Sequence, residues 1–486
     1  MILKLPKVIK LLNENKEKAA LICILSNIKE RMKMKLPAGA AAKKYILVLF
    51  IIVVFFVYSF FSVIRPLEDD ESLYVLTGRA IADGSLDPFT VQYYGHYSNP
   101  FHYIMGSPLM PLIYGIIYNA GGILLVRLLS SVFVLASVFL AYRMVSRLHG
   151  NPAVTLVLTA LSASAITLAS DGFLDSGALL FLMASLYFAN GKNMFYAGVF
   201  SGFAIAAKFV LVVPVAGILI YQVCRKDWTR YLAGVLVIAL PLLVLYRNLV
   251  PVILNFLLVT KVSATSAGNA GLLLGIFATA LPLASVIAIV SAKSKNIRKY
   301  LIFLLPAVAV LLFQIALIDY NSLVRHLPYA EFPAAVLAGV FLTGRMNKAL
   351  CAVLVAFACF SVVSAFSEAN NYPSYNMISD QLADVNGKIL ALNLNSFMLM
   401  KGMPLNSTAE TVYSYYYFNY DNVLGSEIRE YEQALSEGFF DYAIISSYSS
   451  GKYSRYDMIE ALVRKYYCPV LESRRPNGLD IYGRCS

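Results

Sequence analysis

Residues 45–64 read YILVLFIIVVFFVYSFFSVI, twenty positions without a charge, and residues 65–71, Arg-Pro-Leu-Glu-Asp-Asp-Glu, follow at once. At about 1.5 Å per residue such a run is long enough, as a helix, to cross roughly 30 Å of hydrocarbon. The abrupt change from an apolar run to four consecutive acids marks the exit from a membrane and makes this chain an integral membrane protein.

On the other flank, residues 1–44 carry eleven Lys/Arg against three Glu, the excess expected beside an anionic cytoplasmic leaflet. No secretory signal fits, because the first apolar run, Ala19–Leu25, is short and is followed by Lys29, Arg31, Lys33 and Lys35. Lys7–Leu36 reads either as a helix lying on the inner leaflet or as a loose basic tail. The whole chain of 486 residues is 59% hydrophobic and 14% charged, with a mean hydropathy of +0.67, so the net charge of +12 belongs to membrane orientation and not to nucleic-acid binding.

Beyond the first span, further charge-free runs are Ile123–Tyr142, Ala153–Ala169, Phe173–Ala189, Met194–Ala207, Phe209–Val223, Tyr231–Tyr246, Gly271–Ser291, Tyr300–Ile318, Pro328–Thr343 and Ala349–Phe366, which makes about eleven crossings. Loops assigned to the inside hold Arg143, Arg147, Lys192, Arg225, Lys226, Arg230, Lys293, Lys295, Arg298, Lys299, Arg345 and Lys348. Those assigned to the outside hold fewer basic residues and most of the acids, which orients the N-terminus to the cytoplasm. Ser107–Ala120 is apolar but short, and counting it as a span would turn Arg143 and Arg147 outward, so it reads as a helix at the outer surface. Met194–Ala207 is also short and ends at Lys208.

After residue 366 the composition changes. Gly387–Leu394, Phe440–Ser447 and Leu479–Gly483 read as strands, and Val423–Glu437 and Tyr456–Tyr467 as helices. The expected architecture is an all-α polytopic membrane body with a small C-terminal extracytoplasmic α/β domain, divided into a cytoplasmic segment 1–44, a body 45–366 with a first outer loop 65–121, and a domain 367–486. Cys468 and Cys485 share that domain, either as a disulfide or as two free thiols. The Tyr-rich run 413–420 reads as core, or as a surface for stacking a sugar.

The chemistry-bearing residues begin with Asp69, Asp70 and Glu71, followed by Tyr74 and Arg79. Crowded acids on an outer surface suit a carboxylate base or ligands for a hard cation such as Mg²⁺ or Mn²⁺, and a solvated acidic loop explains them equally well. A second set tips the balance: Arg127, Asp171, Asp175, Lys208, Arg325 and His326 come from separate segments, all at the outer ends of spans. Charges at membrane depth are costly and usually face a cavity or one another. Acids together with cations suit transfer from a phosphate-linked substrate, the acids activating the acceptor and the cations stabilising the departing phosphate.

With these residues in view the chain resembles the GT-C membrane glycosyltransferases, particularly the dolichyl-phosphate-mannose protein mannosyltransferases and the lipid A aminoarabinose transferases. The resemblance runs over roughly residues 45–345, through Asp70-Glu71 with Tyr74 and Arg79, Ser107-Pro108-Leu109, Val126-Arg127-Leu128-Leu129-Ser130, Leu174-Asp175-Ser176, Ala207-Lys208-Phe209 and Arg325-His326-Leu327-Pro328. It implies an inverting hexosyltransferase that moves a sugar such as mannose from a polyprenyl or dolichyl phosphate to a hydroxyl of a protein, lipid or glycan. Asp70 would be the base, supported by Glu71 or Asp69. Lys208, Arg127, Arg325, His326 and Arg79 would hold the phosphate, Asp175 and Asp171 would orient cations or bind a metal, and Tyr74 and His102 would face the sugar or acceptor. Ser107 stands where many relatives carry His, and the Trp-Trp-Asp-Tyr-Gly signature of oligosaccharyltransferases is absent, so a single sugar is the expected cargo. The alternative class is a transporter or flippase of a lipid-linked or anionic substrate, although matching halves and mid-span acids are not evident. A sensor or scaffold would leave the gathered charges unexplained.

Overall fold

The structure is a computed structural model that describes residues 40–85, 109–245, 300–317, 326–342, 348–371, 379–404, 411–414, 428–446, 454–472 and 479–485. The chain parts into two units, Met1–Val54 and Phe55–Ser486, and every contact discussed below lies within the second.

The helix α1 (Ala40–Ile64) leaves Tyr45, Leu49, Val53, Phe56, Phe60 and Val63 exposed, an apolar stripe at helical spacing that suits a lipid environment. Its last turns face protein, where the buried Tyr58 hydroxyl donates to the Ala160 carbonyl at 2.7 Å. The acids then open α2 (Asp69–Ala82), with Glu68 as N-cap and Asp69, Asp70 and Glu71 in the first turn, where negative charge complements the helix dipole.

The long helix α3 (Leu109–Arg147) is broken at Gly121–Gly122, where Gly122 sits at φ 67°, a conformation that an L side chain rarely adopts. The stretch expected as a separate outer helix is therefore an arm ahead of the break, and Ser107 and Pro108 lie outside the described residues. The arm packs backbone to backbone on α2: a side chain at Gly78 would strike the Pro111 carbonyl, and one at Gly115 would strike the Gly78 backbone.

The following span differs from expectation. Instead of one straight helix over Ala153–Ala169, the chain forms α4 (Pro152–Ala160) and α5 (Ala163–Ser170), bent by 57°. The cause is local: the Ser162 hydroxyl accepts from Ala165 N at 3.2 Å and so caps a new helix in the middle of the span. Next come α6 (Leu174–Asn190), α7 (Met194–Ala207), α8 (Val212–Arg225), α9 (Trp228–Leu245), α10 (Leu301–Leu317), α11 (Pro328–Phe341) and α12 (Lys348–Asn371). The expected span Gly271–Ser291 lies outside the described residues. A chain of hydroxyls, Ser185 to Ser201 at 2.7 Å and Ser201 to Tyr231 at 2.6 Å, ties α6, α7 and α9 together, the kind of interhelical bonding used where water is absent.

The C-terminal region begins with the short helix α13 (Ser379–Leu382) and alternates β1 (Ile389–Ala391), α14 (Leu394–Lys401), β2 (Val412–Ser414), α15 (Ile428–Ser436), β3 (Tyr442–Ser446), α16 (Ser454–Tyr466), β4 (Tyr467–Leu471) and β5 (Leu479–Arg484). The sheet order is β2-β1-β3-β5-β4, parallel for β1 with β2 and β3, antiparallel for β5 with its two neighbours. The strand expected over Gly387–Leu394 ends early, because Asn393 at φ 50° turns the chain into α14. β2 and β4 were not expected. Pro469 sits in β4, which is an edge strand and can dispense with one ladder donor. Cys468 and Cys485 form a disulfide, which settles the choice left open above.

Candidate active site

Two buried charge networks organise the membrane body. In the first, Arg127 of α3 meets Glu71 of α2 bidentately, Nε to Oε1 at 2.8 Å and Nη2 to Oε2 at 2.6 Å. Its remaining N–H groups donate to the carbonyls of Ser62 (2.8 Å), Arg65 (2.9 Å) and Pro66 (2.8 Å) at the end of α1. A guanidinium has five donors, and all five are spent on protein. Glu71 Oε1 also accepts from Gly172 N at 2.7 Å. Gly172 is fixed by this contact, since a Cβ there would sit 2.8 Å from the same carboxylate oxygen.

Beside this pair, Arg65 Nε lies 2.9 Å from Asp171 Oδ1, and Arg65 Nη2 reaches Glu68 Oε1 at 3.3 Å. Arg65, Glu71 and Asp171 are each at most 1% exposed. Charges buried this deeply persist only when paired, so the network binds α1, α2, α3 and the turn at residues 171–173 into one piece. Arg127, expected at the donor phosphate, has no donor left for it here. Asp171 faces Arg65. In the sequence Arg65 reads as an ordinary loop charge, because a lone Arg at the end of a span carries no further signal.

The second network centres on Asp175, at the start of α6. Lys208 Nζ donates to both of its oxygens at 2.7 Å, and the Tyr329 hydroxyl donates to Oδ1 at 2.5 Å. His326 Nε2 stands 4.0 Å from Oδ1, with its ring stacked on Tyr329 at 5.9 Å. Lys208 occupies the extended residue between α7 and the following 3-10 turn, φ −155° and ψ 121°, a break that swings its side chain out of the helical path. It spends two of its three donors on Asp175, which leaves an ammonium oriented by a carboxylate beside an imidazole. Such a pair can bind a phosphate. Tyr329 was not anticipated, because a tyrosine near the start of an apolar helix reads as packing.

Between the networks, Tyr114 on the α3 arm donates to the Phe173 carbonyl at 2.7 Å and shares its hydroxyl with Ser176 at 3.0 Å and Ser130 at 3.3 Å. Phe173 lies between Asp171 and Asp175 in the chain, so this fully buried tyrosine fixes the turn that presents both acids.

The three acids of α2 have different surroundings. Glu71 turns into the first network. Asp69 turns to the C-terminal region, accepting from Asn395 N at 2.7 Å, Ser396 N at 3.2 Å and Asn395 Nδ2 at 2.9 Å. Asp70, between them, is partly exposed. Arg79, farther along α2, stacks over Tyr118 at 5.3 Å, and Tyr74 is buried. Arg325 and His102 lie outside the described residues. Among the described residues no three His, Cys, Asp or Glu side chains gather as metal ligands, and the buried Glu71, Asp171 and Asp175 face Arg127, Arg65 and Lys208.

The fold and its paired-charge membrane body define the class: a multi-pass membrane protein with the GT-C architecture. No protein-family model and no curated protein sequence matches the chain, so the likeness is structural. The crystal structure of ArnT, a lipid A aminoarabinose transferase, from Cupriavidus metallidurans bound to undecaprenyl phosphate is similar at a TM-score of 0.59 and 15% identity, covering 90% of this chain and 98% of ArnT. The apo ArnT structure is similar at the same TM-score and 14% identity, over 91% of this chain and 98% of ArnT.

Proposed function

We propose that this protein is a membrane glycosyltransferase that moves one sugar, a hexose such as mannose, from a polyprenyl or dolichyl phosphate to an acceptor hydroxyl on the extracytoplasmic side. The observation that carries the reading is the Lys208–Asp175–Tyr329–His326 group, an oriented cation with an adjacent imidazole in an apolar body of GT-C fold. The binding of undecaprenyl phosphate by ArnT supports a lipid phosphate as the donor's leaving group.

In this reading Asp70 takes the proton of the acceptor hydroxyl as its oxygen bonds the anomeric carbon from the face opposite the phosphate. The bond from that carbon to the phosphate oxygen breaks, so the configuration inverts. The departing lipid phosphate gains a negative charge, which Lys208 and His326, with Arg325, are assigned to stabilise. Asp175 and Tyr329 hold Lys208 in place, and the two Arg–acid pairs hold the frame. The acceptor belongs to one of three classes: protein, lipid or glycan.

The test is transfer of label from polyprenyl-phosphate [¹⁴C]mannose, and from the corresponding glucose and aminoarabinose donors, into the acceptors of a membrane extract by the purified full-length protein. Transfer from one of them is expected. No transfer from any of them, with label instead crossing the bilayer of reconstituted vesicles, would favour a flippase, the reading that the bent α4–α5 pair would then serve.

A further inference from the structure

The N-terminus of α14 is capped by a residue from elsewhere in the chain. Asn393, its own N-cap, sits at φ 50° and makes no side-chain cap bond. The open N–H groups of Asn395 and Ser396 go to the Asp69 carboxylate, more than 300 positions away in the sequence, and the Asn395 amide adds a third bond. The Ser396 hydroxyl lies 3.2 Å from that of Ser72 and donates to the Leu67 carbonyl at 3.3 Å, and Ser72 donates to the Glu68 carbonyl at 2.8 Å. Asn395 is 5% exposed and Ser396 is fully buried, which is unusual for polar side chains with no role in a core.

The first residue of α2 therefore binds the start of α14. The first turn of α2 lacks intrahelical acceptors for its own N–H groups and is where a helix frays most readily. Here it is held from both sides: Asp69 to α14, and Glu71 to Arg127. Asp70 lies between the two anchors, so its position is set jointly by the C-terminal region and by the membrane body.

We propose that Asp69, Asn395 and Ser396 are positioning residues for Asp70, and that the C-terminal region thereby fixes the geometry of the catalytic helix. The proposal rests on the reading of Asp70 as base. A displacement of about 1 Å in a catalytic group can cost about 10²-fold in rate, which is the scale on which such a clamp acts.

The experiment uses the full-length protein, with rates expressed per undecaprenyl-phosphate binding site so that unfolded material does not count. In Asp69→Ala, Asn395→Ala and Ser396→Ala, kcat for transfer from the polyprenyl-phosphate sugar is expected to fall roughly 10- to 100-fold. KM for the donor and Kd for undecaprenyl phosphate should stay within about twofold, because the phosphate group is not touched. Asp69→Asn, whose Oδ1 still accepts from the backbone, should recover most of the rate, and Asp69→Ala/Ser396→Ala should be no slower than the slower single variant. Wild-type kcat in Asp69→Ala, with Asp70→Asn inactive, would overturn the clamp and leave the base standing. So would a loss that appears only in KM. Wild-type kcat in Asp70→Asn would overturn the base and the clamp with it.

Discussion

Arg127 and Lys208 look alike in the sequence, each a lone cation among apolar residues, yet their surroundings assign them opposite work. Arg127 is saturated by Glu71 and three carbonyls, so Arg127→Met would leave a carboxylate buried without its partner. Breaking a buried pair in this way costs about 3–5 kcal/mol, and a large drop in the thermal midpoint of the detergent-solubilised protein is expected. An unchanged midpoint would mean that the pair does not hold the frame. Lys208→Met, in contrast, should weaken undecaprenyl phosphate at least tenfold, read by titration. Tyr329→Phe should weaken it by up to about tenfold, since a bond to a charged acceptor is worth about 1.5–3 kcal/mol and Lys208 keeps its own bonds to Asp175. At this scale the sequence announced the charged residues, because Asp175 and Lys208 interrupt apolar runs and Glu71 ends a run of four acids. It did not announce Tyr329, Tyr114 or Gly172, whose types are ordinary in membrane helices and whose roles arise only from long-range contacts.

At the level of elements, the apolar helices were legible from the absence of charge, but their interruptions were not. Nothing in Leu161-Ser162-Ala163-Ser164 distinguishes a serine that caps a new helix from one that bonds back within a straight one, and the break is supported from α11 by the Glu331 carboxylate, which accepts from Ser164. α14 was hidden for a related reason: its first residue, Leu394, continued an apolar run that favoured a strand. The turn at Gly172 is the element on which both charge networks depend. Gly172→Ala would press a methyl against Glu71 Oε1 and should lower both stability and transfer rate, with the loss in rate larger than in Arg127-conserving substitutions elsewhere on α3. Wild-type activity in Gly172→Ala would show that Glu71 can move without consequence. Beside the sheet, the disulfide joins Cys468 in β4 to Cys485, just past β5, across a separation of 17 residues, a loop whose cross-link is worth about 3 kcal/mol. Cys485→Ser should lower the resistance of the C-terminal region to protease by a corresponding margin. Unchanged resistance would mean that the sheet holds β4 without it.

For the whole molecule, the apolar stripe of α1, the buried ion pairs and the GT-C architecture describe a membrane body whose polar interior is gathered at α2 and the starts of α6 and α11. The donor set described here uses cations of the protein where a metal would otherwise balance charge, so transfer should persist in EDTA; its loss, and recovery with Mg²⁺ or Mn²⁺, would contradict that assignment. Asp70 is proposed as the base of a lipid-phosphate-dependent sugar transfer. Its most direct measurement is single-turnover transfer from the polyprenyl-phosphate sugar by wild type and Asp70→Asn, with undecaprenyl-phosphate binding measured on the same samples. Transfer by wild type, a fall of at least about 10²-fold in Asp70→Asn, and equal binding by the two are expected. Transfer by Asp70→Asn at the wild-type rate would contradict that role.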